Sequence, residues 1–244
     1  ASGLSGEGRM AEPENIVPFI DNDIAAKLPL RGKKILITAG PTYEAIDPVR
    51  FIGNHSSGKM GFEIANEAAK LGAEVTLISG PSHLNVSEKS IQLLRVVSAE
   101  EMYNTCHIYF EKTDVAIAAA AVADYRPKNV ASQKIKKTEN SFNIELERTK
   151  DILASLGEIK QNQFLIGFAL ETENEIENAK AKIQKKNLDL IVLNSLQDDG
   201  AGFGTSTNKV TFIDKNFTIE PMDLQSKEKV AQDILNKVIA HYDD

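Results

Sequence analysis

"DVAIAAAAVA", residues 114–123, carries a single charge, at its first position. A run this apolar, too short for a membrane span, reads as a central strand of a parallel sheet, where both faces are covered. The pattern around it agrees. "GKKILITAG" (32–40) and "EVTLISGP" (74–81) are β-rich runs stopped by glycine or Gly-Pro. Between them, "GFEIANEAAKLGA" (61–73) places Phe62, Ile64, Ala65, Ala68, Ala69 and Leu71 at helical spacing, with Gly72 as a C-terminal cap. "SAEEMYNTCHIYFEK" (98–112) opens with the Ser-x-x-Glu of a capping box. "KDILASLGEIK" predicts a helix, "FLIGFAL" (164–170) a strand, "NEIENAKAKIQKKN" a helix and "LDLIVLN" (188–194) a strand. The alternation predicts an α/β, Rossmann-like, mostly parallel sheet with helices on both faces.

Two stretches depart from that rhythm and predict antiparallel hairpin additions. "SFNIEL" (141–146) alternates through Phe142, Ile144 and Leu146, and "NKVTFIDKNFTIEP" (208–221) reads as a hairpin turned at Asp214-Lys215-Asn216. A final helix, "SKEKVAQDILNKVIAHY", closes the chain against the sheet. Residues 1–31 read as a linker in which only "NDIAAKL" has helical character, and residues 32–244 as one domain. Ala1 in place of Met implies an upstream segment.

Composition narrows the classes. Twenty-eight Lys and Arg against 35 Asp and Glu give a net charge of −7, which argues against a nucleic-acid partner. The one cysteine, Cys106, excludes an internal disulfide and a cysteine-based zinc site. With no apolar run near the ~20 residues of a membrane helix, the expectation is a soluble cytoplasmic protein without membrane contact. No pair of histidines has metal-ligand spacing, and no G-x-S-x-G elbow is present.

Ligands of open α/β sheets collect beyond the carboxyl ends of the strands, and the polar oddities of this sequence lie there. "GNHSSGKMG" (53–61) nearly spells a phosphate-binding loop, but twelve residues separate it from the first strand's end at Gly40, and Met60 replaces the magnesium-binding hydroxyl. What remains is a helix start with Ser56, Ser57 and Gly58, suited to an anion. Simple capping by Ser56 or Ser57 has the stronger local claim. Ala118, Ala119 and Ala120 would let a flat ring approach the backbone, with Asp124 as an acceptor, or else serve tight packing. Lys128, Lys134, Lys136 and Lys137 crowd ten residues of an otherwise acidic chain, as a mobile phosphate-closing loop or as a solvated face. Lys182 and Lys186 share a helix face and could grip one phosphate chain, or be ordinary surface lysines. Together these describe a nucleotide-type site without a nucleophile, working by positioning and charge neutralisation.

"ITAGPTYEAIDPVRFIGNHSSGKMG", "AAAVADYRP…KIKK", "IGFALET" and "KNLDLIVLN", in that order, resemble the phosphopantothenate–cysteine ligase family of coenzyme A biosynthesis over roughly residues 30–243. "SGEGRMAEP" (5–13) resembles the tail of the flavin-dependent decarboxylase domain fused upstream of many bacterial ligases. The resemblance implies that 4′-phosphopantothenate and L-cysteine are joined at the expense of CTP, through an acyl-cytidylate, with Mg2+ held by the triphosphate rather than by protein side chains. It implies FMN only in the upstream domain, and a homodimer with residues 141–146 and 208–220 as interface candidates. Asn54 matches the residue that handles the acyl-nucleotide, with Arg50, Ser56, Ser57 and Gly58 at the substrate. Lys134 matches a flap lysine. Ala118, Ala119, Ala120, Asp124, Lys150, Asp151, Ile152, Leu153, Phe168, Lys182 and Lys186 match nucleotide contacts. Two positions depart from the family pattern: Lys150 replaces a common proline, and Tyr43 a common arginine. A dinucleotide oxidoreductase is disfavoured, since no G-x-G-x-x-G follows the first strand and no acidic residue closes the second. A nucleotide sensor without turnover stays open.

Overall fold

The computed structural model describes residues 11–136, 143–195 and 206–243. Eight strands form the main sheet. Numbering these alone, they are β1 (Lys34–Ala39), β2 (Glu74–Ser79), β3 (Gln92–Arg95), β4 (Val115–Ala118), β5 (Phe164–Glu171), β6 (Leu190–Ser195), β7 (Val210–Asp214) and β8 (Ile219–Pro221). Their spatial order is β3-β2-β1-β4-β5-β6-β7-β8. The first six are parallel, and β7 and β8 are added antiparallel. The predicted hairpin at 208–221 is therefore real and extends the main sheet.

The described residues hold six helices, α1 (Pro13–Ala26), which is exposed along its length, and five that pack on the sheet: α2 (Lys59–Lys70), α3 (Ala99–Phe110), α4 (Ile152–Ile159), α5 (Glu175–Lys185) and α6 (Lys227–Asp243). Alternation along the strands feeds two cores. Ile35, Ile37 and Ala39 of β1 with Val115 and Ile117 of β4 meet α2 and α6 on one face. Leu36 and Ala116 meet α3, α4 and α5 on the other. Fully burying a side chain such as Phe110 stabilises by ~1.5–3 kcal/mol, and Cys106 beside it is core too. Burial pushes its thiol up to about 12, so it stays protonated at neutral pH. The capping box at the head of α3 forms as expected, Ser98 accepting from the Glu101 amide and Glu101 from the Ser98 amide.

Five features differ from the sequence reading. The strand within 114–123 stops at Ala118, because residues 119–121 leave β5 and follow the end of β1 and the chain beyond it: Ala119 N donates to Thr38 O, Ala121 N to Gly40 O, and Thr42 N to Ala121 O. Helix α1 runs well upstream of "NDIAAKL". Edge strand β3 escaped the sequence reading, as did a hairpin pairing Tyr43–Ala45 with Phe51–Gly53. The alternation through 141–146 yields only Leu146–Arg148, antiparallel to Tyr125–Pro127, and Ser141 and Phe142 lie outside the described residues.

Candidate active site

Strand order reverses between β1 and β4, and there the carboxyl ends of the strands diverge to leave a crevice. Two cavities fill it. The larger, of about 510 Å3, is lined by Ala118, Ala120, Asp124, Lys150, Asp151, Ile152, Leu153, Phe168 and Lys186 among others. The smaller, of about 160 Å3, holds Ser56, Ser57, Gly58, Ala119 and, from outside the expected set, Lys59, Asn194, Asn208 and Lys227. Ala120 and Phe168 line both, so the two cavities adjoin.

The alanine segment is held as a rigid ledge. Thr38 Oγ1 accepts from Ala120 N at 3.2 Å, and Thr42 Oγ1 from Ala123 N at 3.0 Å. Asn54 Nδ2 donates to Ala121 O at 3.0 Å and Val122 O at 3.3 Å. Asn54 is delivered by the 43–53 hairpin, which the stacked rings of Tyr43 and Phe51 brace at a centroid distance of 3.8 Å.

Helix α2 begins on Gly58, whose φ of +83° places it in the left-handed region, and no side chain caps the helix. The capping reading of the serines gives way: Ser56 Oγ accepts from Gly58 N and Ser57 Oγ from Lys59 N, each two residues on, which shapes the loop. At Gly61 a Cβ would sit 2.5 Å from Ala39 Cβ, so glycine lets the first turn of α2 close onto the end of β1.

The lysines of the larger cavity do not stand alone. Lys186 Nζ lies 2.9 Å from Asp151 Oδ2, and Lys150 Nζ 3.2 Å from Glu100, over the Tyr103 ring. Lys182 pairs with Glu171 and does not line the cavity. The two side chains turn to carboxylates on different elements, Glu171 of β5 and Asp151 at the head of α4. Burial acts to raise the Asp151 carboxyl, but the Ala154 amide and the Lys186 ammonium outweigh it and hold it below its ordinary value. The Arg126 guanidinium, then Lys150, lower Glu100. Arg126 also pairs with Glu147, linking α3 to the strands beneath Lys150.

Lys134 is exposed, in a segment clamped at its neighbour. Asp47 Oδ2 accepts from Ile135 N at 3.1 Å, and Arg50 Nη2 donates to Ile135 O at 3.1 Å. Arg50 in turn forks onto Asp47, its Nε at 3.0 Å. Its side chain thus holds the loop at Ile135. The Arg50 guanidinium, then the amides of Val49, Ile135 and Arg50, hold the buried Asp47 carboxyl far below the usual range against the opposing effect of burial. A carboxyl lowered on folding contributes stability above its unfolded pKa of ~3.9 and loses it as pH falls toward the folded value. Asp47→Asn should therefore lower the melting midpoint at pH 7, and the gap from the parent protein should shrink below about pH 4. Melting curves check this, and a gap unchanged at pH 3 would contradict it.

Thr38, Asp47, Glu100, Asn194, Asn208 and Lys227 were missed by sequence reasoning. Only Asp47 left a local sign, an Asp three residues before an Arg. Among the described residues no three His, Cys, Asp or Glu converge as metal ligands, and no helix is long and apolar enough to cross a membrane. Lys137 lies outside the described residues.

A family model described as the DNA/pantothenate metabolism flavoprotein C-terminal domain matches residues 30–242. The chain is 50% identical over 244 residues to a cysteine/cysteine sulfinic acid decarboxylase of an unknown prokaryotic organism, covering 98% of this chain and 68% of that protein. It is 45% identical over 242 residues to the coenzyme A biosynthesis bifunctional protein CoaBC of Bacillus subtilis, covering 98% and 60%. The chain thus spans between 60% and 68% of the length of these relatives. A crystal structure of the C-terminal domain of a CoaBC protein superposes with a TM-score of 0.77 at 44% identity, over 89% of this chain and all of that one. The Cab2 H337A mutant in complex with phosphopantothenate-cysteine shares the fold, at a TM-score of 0.70 and 18% identity, over 95% and 94%.

Proposed function

The chain belongs to the DNA/pantothenate metabolism flavoprotein C-terminal domain family, and on that basis we propose that it is a phosphopantothenate–cysteine ligase domain that uses CTP. One observation carries the reading: two cavities at the switch point of the sheet meet at Ala120 and Phe168. One suits a flat base beside lysines, and the other suits a small anionic substrate.

In this reading the nucleotide lies along Ala118–Ala120 and Phe168, with Asp124 at its ribose or base and residues 150–153 beneath it. A carboxylate oxygen of 4′-phosphopantothenate attacks the α-phosphorus of CTP. Pyrophosphate leaves with the bridging electron pair, giving the acyl-cytidylate. The cysteine amine then adds to the acyl carbon, loses its proton, and CMP departs. Asn54 holds the ledge beside the reacting acyl phosphate, Arg50 fixes the base of the flap, and Lys134 brings a cation to the charge that develops there. Lys186 and Lys150 exchange their carboxylate partners for phosphate. Magnesium would arrive with the triphosphate and neutralise it. Hard oxygen ligands suit that ion, and the triphosphate oxygens would supply them. The homodimer, the upstream flavin-dependent partner and a cytoplasmic location belong to the same proposal.

The test is pyrophosphate release in magnesium buffer with 4′-phosphopantothenate and cysteine, comparing CTP with ATP. Release with CTP, matched by amide product, is the expected result. No release with either nucleotide, or carbon dioxide evolved from cysteine in place of amide, would overturn it. The second outcome would align the chain with the decarboxylase after which one relative is named.

A further inference from the structure

Arg95, the last residue of edge strand β3, turns its guanidinium to neutral oxygens of the chain that leaves β2. Its Nη1 donates to Ser82 O at 3.2 Å and to Ser79 Oγ at 3.4 Å, and its Nη2 to Leu84 O and, at 3.4 Å, to Asn85 Oδ1. We propose that Arg95 is a positioning residue of the site: it folds the 82–85 turn so that Ser82 pins the Ser57–Gly58 peptide, and with it the loop that carries Asn54. The kinetic consequence rests on the ligase reading, and the conformational one does not.

A close approach brings the turn to the site. A Cβ at Gly80 would sit 1.7 Å from Pro41 O, so glycine lets the exit of β2 lie directly on the exit of β1. Ser82 then reaches the loop before α2. Its hydroxyl donates to Ser57 O at 2.8 Å while accepting from Leu84 N at 3.2 Å. Leu84 is thus held at its N–H by Ser82 and at its carbonyl by Arg95, which fixes the direction of the hydroxyl. A trans peptide aims its C=O and N–H in opposite directions. Pinning Ser57 O therefore also aims Gly58 N, which donates to Ser56 Oγ at 3.2 Å. The pin matters because Gly58 has a φ of +83° and no Cβ, so this peptide plane could otherwise turn over at small cost. Turned over, it would present a carbonyl where an N–H stands, beside Ser56 and Gly58 in the wall of the smaller cavity. The same guanidinium lies 5.4 Å from the centre of the Phe62 ring near the start of α2, so Arg95 sets turn and helix against each other.

Ser82→Ala removes the pin, and Arg95→Met the support behind it. With CTP, 4′-phosphopantothenate and cysteine varied in turn, each variant should raise KM for at least one substrate about 3- to 10-fold, the usual worth of one hydrogen bond, with kcat within about twofold. Ser82→Thr, which keeps the hydroxyl, should restore the parent KM. The double variant should resemble the worse single one, because both changes act through the same bond. A brace that merely held the fold would lower kcat through lost folded protein and leave KM alone. That result overturns the proposal, as do losses that add in the double variant or an unchanged KM in both single variants. Hydrogen exchange at the Gly58 amide, followed by NMR, needs no turnover. It should speed up in both variants while the interior of α2 keeps its parent protection. Acceleration confined to Ser82→Ala, or seen in neither, overturns the role of Arg95. Should the parent protein turn over no substrate, the ligase reading fails by itself, and the Gly58 amide alone decides the positioning.

Discussion

Asn54→Asp should slow amide formation by about 10²–10³-fold, the usual loss when a preorganised donor at a developing charge is removed. The residue is nearly isosteric, so the 43–53 hairpin should still form. What changes is the sign of the contact. Asn54 Nδ2 now donates to the carbonyls of Ala121 and Val122, whereas a carboxylate would face the same two oxygens and repel them. The ledge that carries Ala118–Ala120 would lose its outer support, and the acyl phosphate would meet a negative group where a donor stood. Single-turnover measurements should separate the two halves of the reaction, with accumulation or loss of the acyl-nucleotide showing which half suffers. A variant that keeps full turnover would contradict the role given to Asn54.

Lys134→Met should lower kcat by roughly 10²-fold while moving the nucleotide dissociation constant by no more than about fivefold. The asymmetry follows from position. Lys134 is exposed, so it contributes little to the empty or loosely occupied site. Its neighbour Ile135 is clamped through both its N–H and its carbonyl to Asp47 and Arg50. In the ligase reading the flap would close about that fixed point and bring its charge to bear late, when negative charge builds on the reacting phosphate. Steady-state kinetics and direct nucleotide titration read the two quantities separately. Equal loss of binding and turnover would make Lys134 an ordinary phosphate ligand, and an unchanged rate would remove it from the mechanism.

The sheet was legible because its strands are short apolar runs punctuated by glycine and its helices carry local signals such as the Ser98–Glu101 box. Edge strand β3 was missed because "QLLR" is half-buried and shows no clean alternation. The run 114–123 was read too long because small apolar residues suit a ledge paired on one side as well as a strand paired on both. In the site, motif residues such as Asn54, Phe168 and Lys186 could be found from local order. Their partners could not. Glu100 reaches Lys150 across fifty positions, Asp47 reaches Ile135 across 88, and Asn208 meets Asn194 across fourteen. Those pairings exist only once the topology is known.

The carboxylates beside the lysines have a consequence for turnover. Lys150 and Lys186, the lysines of the larger cavity, each hold an internal counter-ion, Glu100 and Asp151. A guest must therefore displace these anions, and the cleft sets a charge threshold for entry. In the ligase reading a triphosphate would bring enough charge to make both exchanges worthwhile, and a monophosphate would not. In that reading, once pyrophosphate had gone the lysines would return to their own carboxylates, and the remaining nucleotide would be expelled as the protein healed its ion pairs. The same groups that receive the reagent then clear away what is left of it.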